Sequence, residues 1–279
     1  MMEQGIEFLK GHGTENDFVL LPDPTGTLEL TPSRVRALCD RHRGLGADGV
    51  LRVIPGALVP DAPPGTPPDD WFMDYRNADG SVAELCGNGV RVFARYLGDA
   101  GLVADAEFRV GSRSGSRQVR RNTDGTVTVQ MGQIRCDGSA TVTVEGAAFT
   151  GLTVDVGNPH LACLTDLPVE HLDLTLPPGH DPGNFPHGVN VEFINVLAAG
   201  MLRMRVHERG VGETRSCGTG AVAALAAALN AQERTTGEAD VLVPGGGLHV
   251  AIGVDGSTLT GPAVLVAGGR LAFDWWSSH

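Results

Sequence analysis

Two stretches of this chain, 131 residues apart, run the same course without a gap: WFMDYRNADGSVAELCGNGVRVFARYL at 71–97 and LRMRVHERGVGETRSCGTGAVAALAAA at 202–228. Each reads as a strand, a polar turn-rich stretch, a Cys-Gly-x-Gly and then a helix. Cys86 falls on Cys217, and the pair Gly87 and Gly89 falls on Gly218 and Gly220. A repeated order of elements on this scale implies two halves of like architecture, and 279 residues suit two compact units. Halves related by a pseudo-twofold axis would set the two motifs facing one another across a domain cleft, where small-molecule sites gather.

Around the echo, short β-like runs recur from residues 6–9 to 264–267, several strictly alternating. Helix-like segments are few: 32–42, 87–97 and 218–231. The expected class is therefore α+β, a mixed α/β architecture of sheets with few helices, and not a regularly alternating doubly wound fold. The RNTDG turn at 121–125 is the expected boundary: an N-terminal domain of 1–124 to which 264–279 returns, and a C-terminal domain of 125–263. Six of the 17 prolines lie within 55–70, which reads as an exposed loop inserted between two strands.

Composition excludes several classes of function. Acidic residues number 33 against 21 basic, a net charge of −12 with no dense basic stretch, so nucleic acid is not an expected partner. The most apolar run, 221–229, is too short to span a bilayer, and the start MMEQGIEFLKG lacks the layout of a secretion signal, so no membrane partner and a cytoplasmic location are expected. Five cysteines at irregular spacing indicate neither a disulfide framework nor a zinc site. Lys10 is the single lysine, hence the one possible Schiff-base partner for pyridoxal phosphate.

The chemistry is carried by Cys86 and Cys217. Each precedes a helix, where unpaired N–H groups and the positive end of the dipole favour a thiolate over a thiol. The flanking glycines let backbone approach a ligand, so the same N–H groups suit a carboxylate. Two such thiols fit two-base chemistry at a carbon beside a carboxylate: one removes the α-proton from one face while the other protonates the opposite face. Apolar positions 90, 93, 94 and 97 give the first helix one buried face, whereas 221–229 is apolar all round. Cys39, Cys136 and Cys163 lack this context and read as small buried hydrophobes.

Six runs in order, GHGTENDF (11–18), RHRGLGADGVL (41–51), NADGSVAELCGNGVR (77–91), GNPH (157–160), VNVEF (189–193) and ERGVGETRSCGTGAVA (208–223), resemble the diaminopimelate epimerase family. The resemblance implies two domains, each a mostly antiparallel mixed sheet wrapped around a central helix. It implies cofactor-independent interconversion of LL- and meso-diaminopimelate in lysine and peptidoglycan precursor synthesis, by a homodimer. Carried over, Cys86 and Cys217 are the acid/base thiols, with His160 and Glu208 as supporting polar neighbours. Gly87, Asn88, Gly218 and Thr219 would cradle the reacting carboxylate. Asn16, Asn77, Asn158, Asn190, Glu208 and Arg209 would bind the rest of the substrate, with Arg209 suited to the distal carboxylate. No metal is implied.

Other readings compete at the same residues. Asn77 and Asn158 sit in turn-like runs where asparagine serves its own backbone. His42 reads as a helix-end residue. Glu15 and Gly49 depart from the family pattern, and the 55–70 insertion carries no assigned role. Proline or hydroxyproline racemases also use two cysteines but take a substrate with one carboxylate. A redox disulfide between Cys86 and Cys217 is read as inactivation rather than function. A silent binding module would keep its ligand after Cys86→Ala.

Overall fold

The computed structural model describes residues 5–279; Met1–Gln4, the start of the expected N-terminal domain, lie outside the described residues. The chain divides into two compact units, Met1–Val129 with Pro262–His279, and Gln130–Gly261. In chain order the first unit begins with β1 (Ile6–Gly13), β2 (Asn16–Pro22), α1 (Pro32–Cys39), β3 (Gly49–Pro55) and β4 (Trp71–Asn77). It continues through α2 (Gly87–Asp99), β5 (Glu107–Val110), β6 (Arg117–Arg121) and the start of β7 (Thr126–Gly132). The division falls inside β7, because the 121–125 turn closes a β6–β7 hairpin instead of linking domains.

The second unit runs through β8 (Arg135–Val144), β9 (Ala147–Asp155), β10 (Pro159–Leu164), β11 (Gly179–His180), β12 (Asn190–Ala198), β13 (Met201–Glu208) and β14 (Gly212–Thr214). Then come α3 (Gly218–Asn230), β15 (Gly237–Val243), β16 (Gly246–Gly253) and β17 (Gly256–Pro262). The chain returns to the first unit with β18 (Val264–Leu271) and α4 (Phe273–Ser277).

In the first unit the strand order is β18-β1-β2-β3-β4, antiparallel except for the β2–β3 pair. Hydrogen bonds of Gly111 to Trp71 and Met73 bring the β5–β6 hairpin beside β4. The sheet curls around α2, which packs against β1, β2, β3, β4, β6 and β18. The second unit repeats this plan with the order β11-β8-β9-β10-β12-β13-β15-β16-β17, β14 lying against β13, and α3 packs against β9, β10, β12, β13, β15 and β16. The α+β class and the wrapped-helix architecture hold.

The two central helices are built alike: 13 residues each, with a cysteine at the N-cap whose sulfur accepts the N–H three residues on. Residues 221–229 of α3 are all buried, as an apolar surface on every side requires. The expected single buried face of α2 is corrected. Residues 87–94 are all buried, Arg91 among them, because the sheet closes round the helix. α1 stops at Cys39 rather than at 42: Asp40 is extended and its carboxylate accepts the N–H groups of His42 and Arg43, ending the turn locally.

β6, β10, β11, β14, β17 and α4 carry no clear sequence pattern. β6 is mostly charged, and β17 (GSTLTGP) is rich in glycine and small polar residues, so neither shows an apolar stripe. The 55–70 segment is a loop closed at its base by Gly56 N–H to Asp70 O and Ala57 N–H to Pro68 O. It packs Val59 and Ala62 against Ile54 and Phe72.

One electrostatic knot ties β1, β2 and the loop before β3. Lys10 donates to Asp17 at 2.5 Å and to the Gly46 carbonyl, and Arg41 bridges Asp17 at 2.9 Å and Asp48 at 2.8 Å. Burial works to raise the Asp17 carboxyl, but hydrogen bonds and charge from Arg41 and Lys10 outweigh it and hold it at about 2. A folded value below the unfolded value of about 3.9 stabilises the protein above that pH, and the contribution is lost as pH falls from about 4 to about 2. The urea midpoint should therefore fall more steeply across this window in the parent protein than in Asp17→Asn. Equal slopes in the two titrations would refute the assignment.

Candidate functional site

Period-two alternation puts His160, Asn190 and Glu192 on one face of the second unit's sheet. His160 on β10 lies across from Asn190 on the parallel neighbour β12, and Glu192 follows two residues on. On β13, antiparallel to β12, Glu208 ends the strand, and Thr214 of β14 donates to its carboxylate. Asn190 uses both ends of its amide: Nδ2 donates to the Pro159 carbonyl at 3.1 Å, and Oδ1 accepts the Arg209 N–H at 2.9 Å. Arg209 is exposed, and its guanidinium has no hydrogen-bond or ion-pair partner among the described residues.

His160 and Glu192 are both fully buried, with Nδ1 to Oε1 at 2.7 Å; Asn158 Oδ1 lies 3.0 Å from His160 Nε2. Glu192 was not among the residues singled out from the sequence. The signal it leaves is a charged residue two positions after Asn190 in a strand otherwise apolar apart from Asn190 and Asn195. Its Oε1 occupies the space beside Gly220, where an added Cβ would stand 2.7 Å away. The glycine of the second Cys-Gly-x-Gly therefore makes room for a carboxylate at the start of α3.

Cys217 caps that helix, its sulfur 3.4 Å from the Gly220 N–H and 3.5 Å from Thr219 Oγ1. Only 6% of Cys217 is exposed. The expectation that the helix terminus makes it a ready thiolate is corrected: burial, with the charges of Glu208 and Glu192, pushes the thiol well above its ordinary range, outweighing the Thr219 and Gly220 hydrogen bonds. Burial also raises the Glu208 carboxyl, which hydrogen-bonds the Cys217 thiol. At neutral pH Cys217 carries its proton.

In the first unit Cys86 is half-buried, and its sulfur accepts the Gly89 N–H at 3.3 Å. Asn16 Oδ1 lies 3.6 Å from the sulfur and 3.2 Å from Asn88 Nδ2. Gly87 and Asn88 open the buried first turn of α2, as Gly218 and Thr219 open α3. Asn77 spends its amide on Ser81 Oγ at 3.0 Å and its backbone on the same turn. The structure thus gathers Asn16, Cys86, Gly87 and Asn88 in one unit, with Asn77 at the end of β4, and Asn158, His160, Asn190, Glu208, Cys217, Gly218 and Thr219 in the other.

Of the remaining cysteines, Cys39 and Cys163 are buried, and burial pushes each thiol up to about 12. Cys136 is exposed on β8, contrary to its reading as a buried small hydrophobe, because 135–139 of that strand point into solvent on both sides of a register shift. His42 is exposed just after α1. A side chain at Gly49 would stand 2.6 Å from the Arg76 carbonyl, so that position is closed to one. Among the described residues no group of three or more His, Cys, Asp or Glu gathers in a way that would hold a metal, and no helix is long and apolar enough to cross a membrane.

This architecture is that of a wider class of two-unit folds. A Bacillus anthracis phenazine biosynthesis protein of the PhzF family superposes with a TM-score of 0.73 at 14% identity, over 97% of this chain and 100% of that one. A hydroxyproline epimerase from Agrobacterium vitis superposes with a TM-score of 0.67 at 17% identity, covering 98% and 94%. At such identities the likeness concerns the fold. Sequence is more specific: the diaminopimelate epimerase family model matches residues 8–136 and 152–266. A diaminopimelate epimerase of Rhodococcus jostii is 56% identical over 98% of this chain and 99% of its own length, and one from Mycolicibacterium gilvum is 54% identical over 98% and 100%. The chain belongs to the diaminopimelate epimerase family, a family of isomerases.

Proposed function

We propose that the protein interconverts LL- and meso-diaminopimelate without a cofactor, with Cys86 and Cys217 as the two acid/base groups for one α-carbon. The observation that carries this reading is the pair of cysteines, each at the N-cap of a buried 13-residue helix with its sulfur on a backbone N–H. Cys217 enters as the thiol, since burial and Glu208 keep its proton on. Cys86 then enters as the thiolate. The Cα–H bond breaks as Cys86 takes the proton, and the electron pair delocalises into the α-carboxylate. Cys217 protonates the opposite face, its sulfur is left as the thiolate, and the reverse reaction exchanges the roles.

The first-turn amides at Gly87, Asn88, Gly218 and Thr219 suit the charge that builds on that carboxylate. His160, held by Glu192, and Glu208 support Cys217. Asn16, Asn77, Asn158, Asn190 and Glu208 supply polar groups for the amines and the distal end of the substrate, and the unpaired guanidinium of Arg209 suits the distal carboxylate as a fork. Supply of the meso isomer to lysine and peptidoglycan synthesis, a cytoplasmic location and a homodimer belong to the same reading.

The test is NMR of reduced protein in D₂O with LL-diaminopimelate, alongside L-proline. Deuterium entering one α-position with the meso isomer appearing is expected, and none in proline. Exchange in proline alone would move the protein to a racemase, and exchange in neither would overturn an isomerase acting on these substrates.

A further inference from the structure

α2 holds a charged residue to which the two-thiol reading gives no task. Arg91 is 0% exposed. Its guanidinium donates to three neutral acceptors: Asn88 Oδ1 at 2.9 Å, Thr14 Oγ1 at 3.1 Å and the Pro262 carbonyl at 3.2 Å. Among the described residues it forms no ion pair with a carboxylate, so its burial is not compensated in the usual way. Burial pushes the guanidinium down to about 10, and the charge that opposes this shift is that of Cys86.

The hydrogen bonds also have a direction. A guanidinium only donates, so Asn88 turns its amide oxygen to Arg91 and its NH₂ to Asn16 Oδ1, 3.2 Å away. Asn16 must then present its NH₂ elsewhere, and it donates to Asp48 Oδ2 at 2.8 Å, a carboxylate that only accepts. Asn16 Oδ1 is thereby fixed as an acceptor for the Cys86 S–H, the form Cys86 takes once it holds a proton. Thr14 and Glu15, just before Asn16, both have positive φ (51° and 60°), a strained turn that the Arg91–Thr14 bond braces. Gly13 belongs to the same arrangement, since a Cβ there would lie 3.0 Å from Arg91 Nη2. Under the 131-residue shift, Arg91 corresponds to Val222, so α3 has no such cation and Cys217 is instead surrounded by carboxylates.

We propose that Arg91 is a positioning residue for Cys86: it orients the Asn88–Asn16 chain, braces the turn that carries Asn16, and supplies the buried positive charge that a Cys86 thiolate meets during proton transfer. The proposal rests on the reading of Cys86 as an acid/base group.

The test uses Arg91→Met and Arg91→Lys in the full chain, with iodoacetamide labelling of each cysteine at neutral pH read by peptide mass spectrometry, and kcat and KM measured with LL-diaminopimelate. Arg91→Met should slow Cys86 labelling about tenfold, as loss of one nearby charge implies, and lower kcat similarly with KM within about threefold. Cys217 labelling should stay within about twofold, and Arg91→Lys should restore Cys86 labelling to within about threefold of the parent. Unchanged Cys86 labelling in Arg91→Met, or equal slowing of both cysteines, would reduce Arg91 to packing. If Arg91→Met does not fold, Arg91→Lys decides alone: a tenfold loss of Cys86 labelling in a folded lysine variant overturns the proposal. Labelling needs no turnover, so an active Cys86→Ala would refute the two-thiol reading and leave the labelling result standing.

Discussion

Epimerisation of diaminopimelate should fall roughly a thousandfold or more in Cys86→Ala and in Cys217→Ala, the upper part of the range for loss of an acid or base group. The two variants should fail differently. Each keeps one thiol, which reaches one face of the α-carbon, so residual α-deuterium exchange in D₂O should be confined to one epimer and proceed without inversion. The helices should survive both changes, because each cap also has its helix buried in a closed sheet. Circular dichroism checks the fold, and NMR with each epimer in turn checks the exchange. Activity within tenfold of the parent in either variant would mean that thiol is not an acid/base group.

The second large effect concerns stability. Glu192→Ala should cost about 3 kcal/mol, since it leaves buried His160 without its partner at Nδ1 and opens a cavity beside α3. Glu192→Gln should recover most of this loss, because the amide oxygen can still accept from Nδ1 in the same space. Urea unfolding of the three proteins measures both terms. An alanine variant within about 1 kcal/mol of the parent would show that the carboxylate is not what holds His160, since a buried partner should cost more.

Much of the site is legible as local pattern. The cysteine before Gly-x-Gly and a helical run marks a helix start in both halves, and Cys86 and Cys217 are the N-caps there. Turn residues in NADG and GNP likewise announce where Asn77 and Asn158 bend the chain, and both side chains serve local partners, Ser81 and His160. Glu192 and Arg91 escaped for a shared reason. Charged residues are ordinarily solvated, so a glutamate in a strand and an arginine beside an apolar helical face are read as surface. β6 and β17 escaped because their residues are held by register with neighbouring strands rather than by an apolar pattern of their own.

The sequence by itself determined the helix caps, the duplicated strand–cysteine–helix plan and membership in a family. These depend on neighbours a few residues apart, or on order along the chain. What the tertiary structure alone decided is how the two thiols differ. Closure of the second sheet over α3 desolvates Cys217 beside Glu208 and Glu192 and keeps its proton in place, whereas closure of the first over α2 buries the cation of Arg91 near Cys86. Desolvation depends on every element that excludes water from a group, and no local stretch of sequence carries that sum.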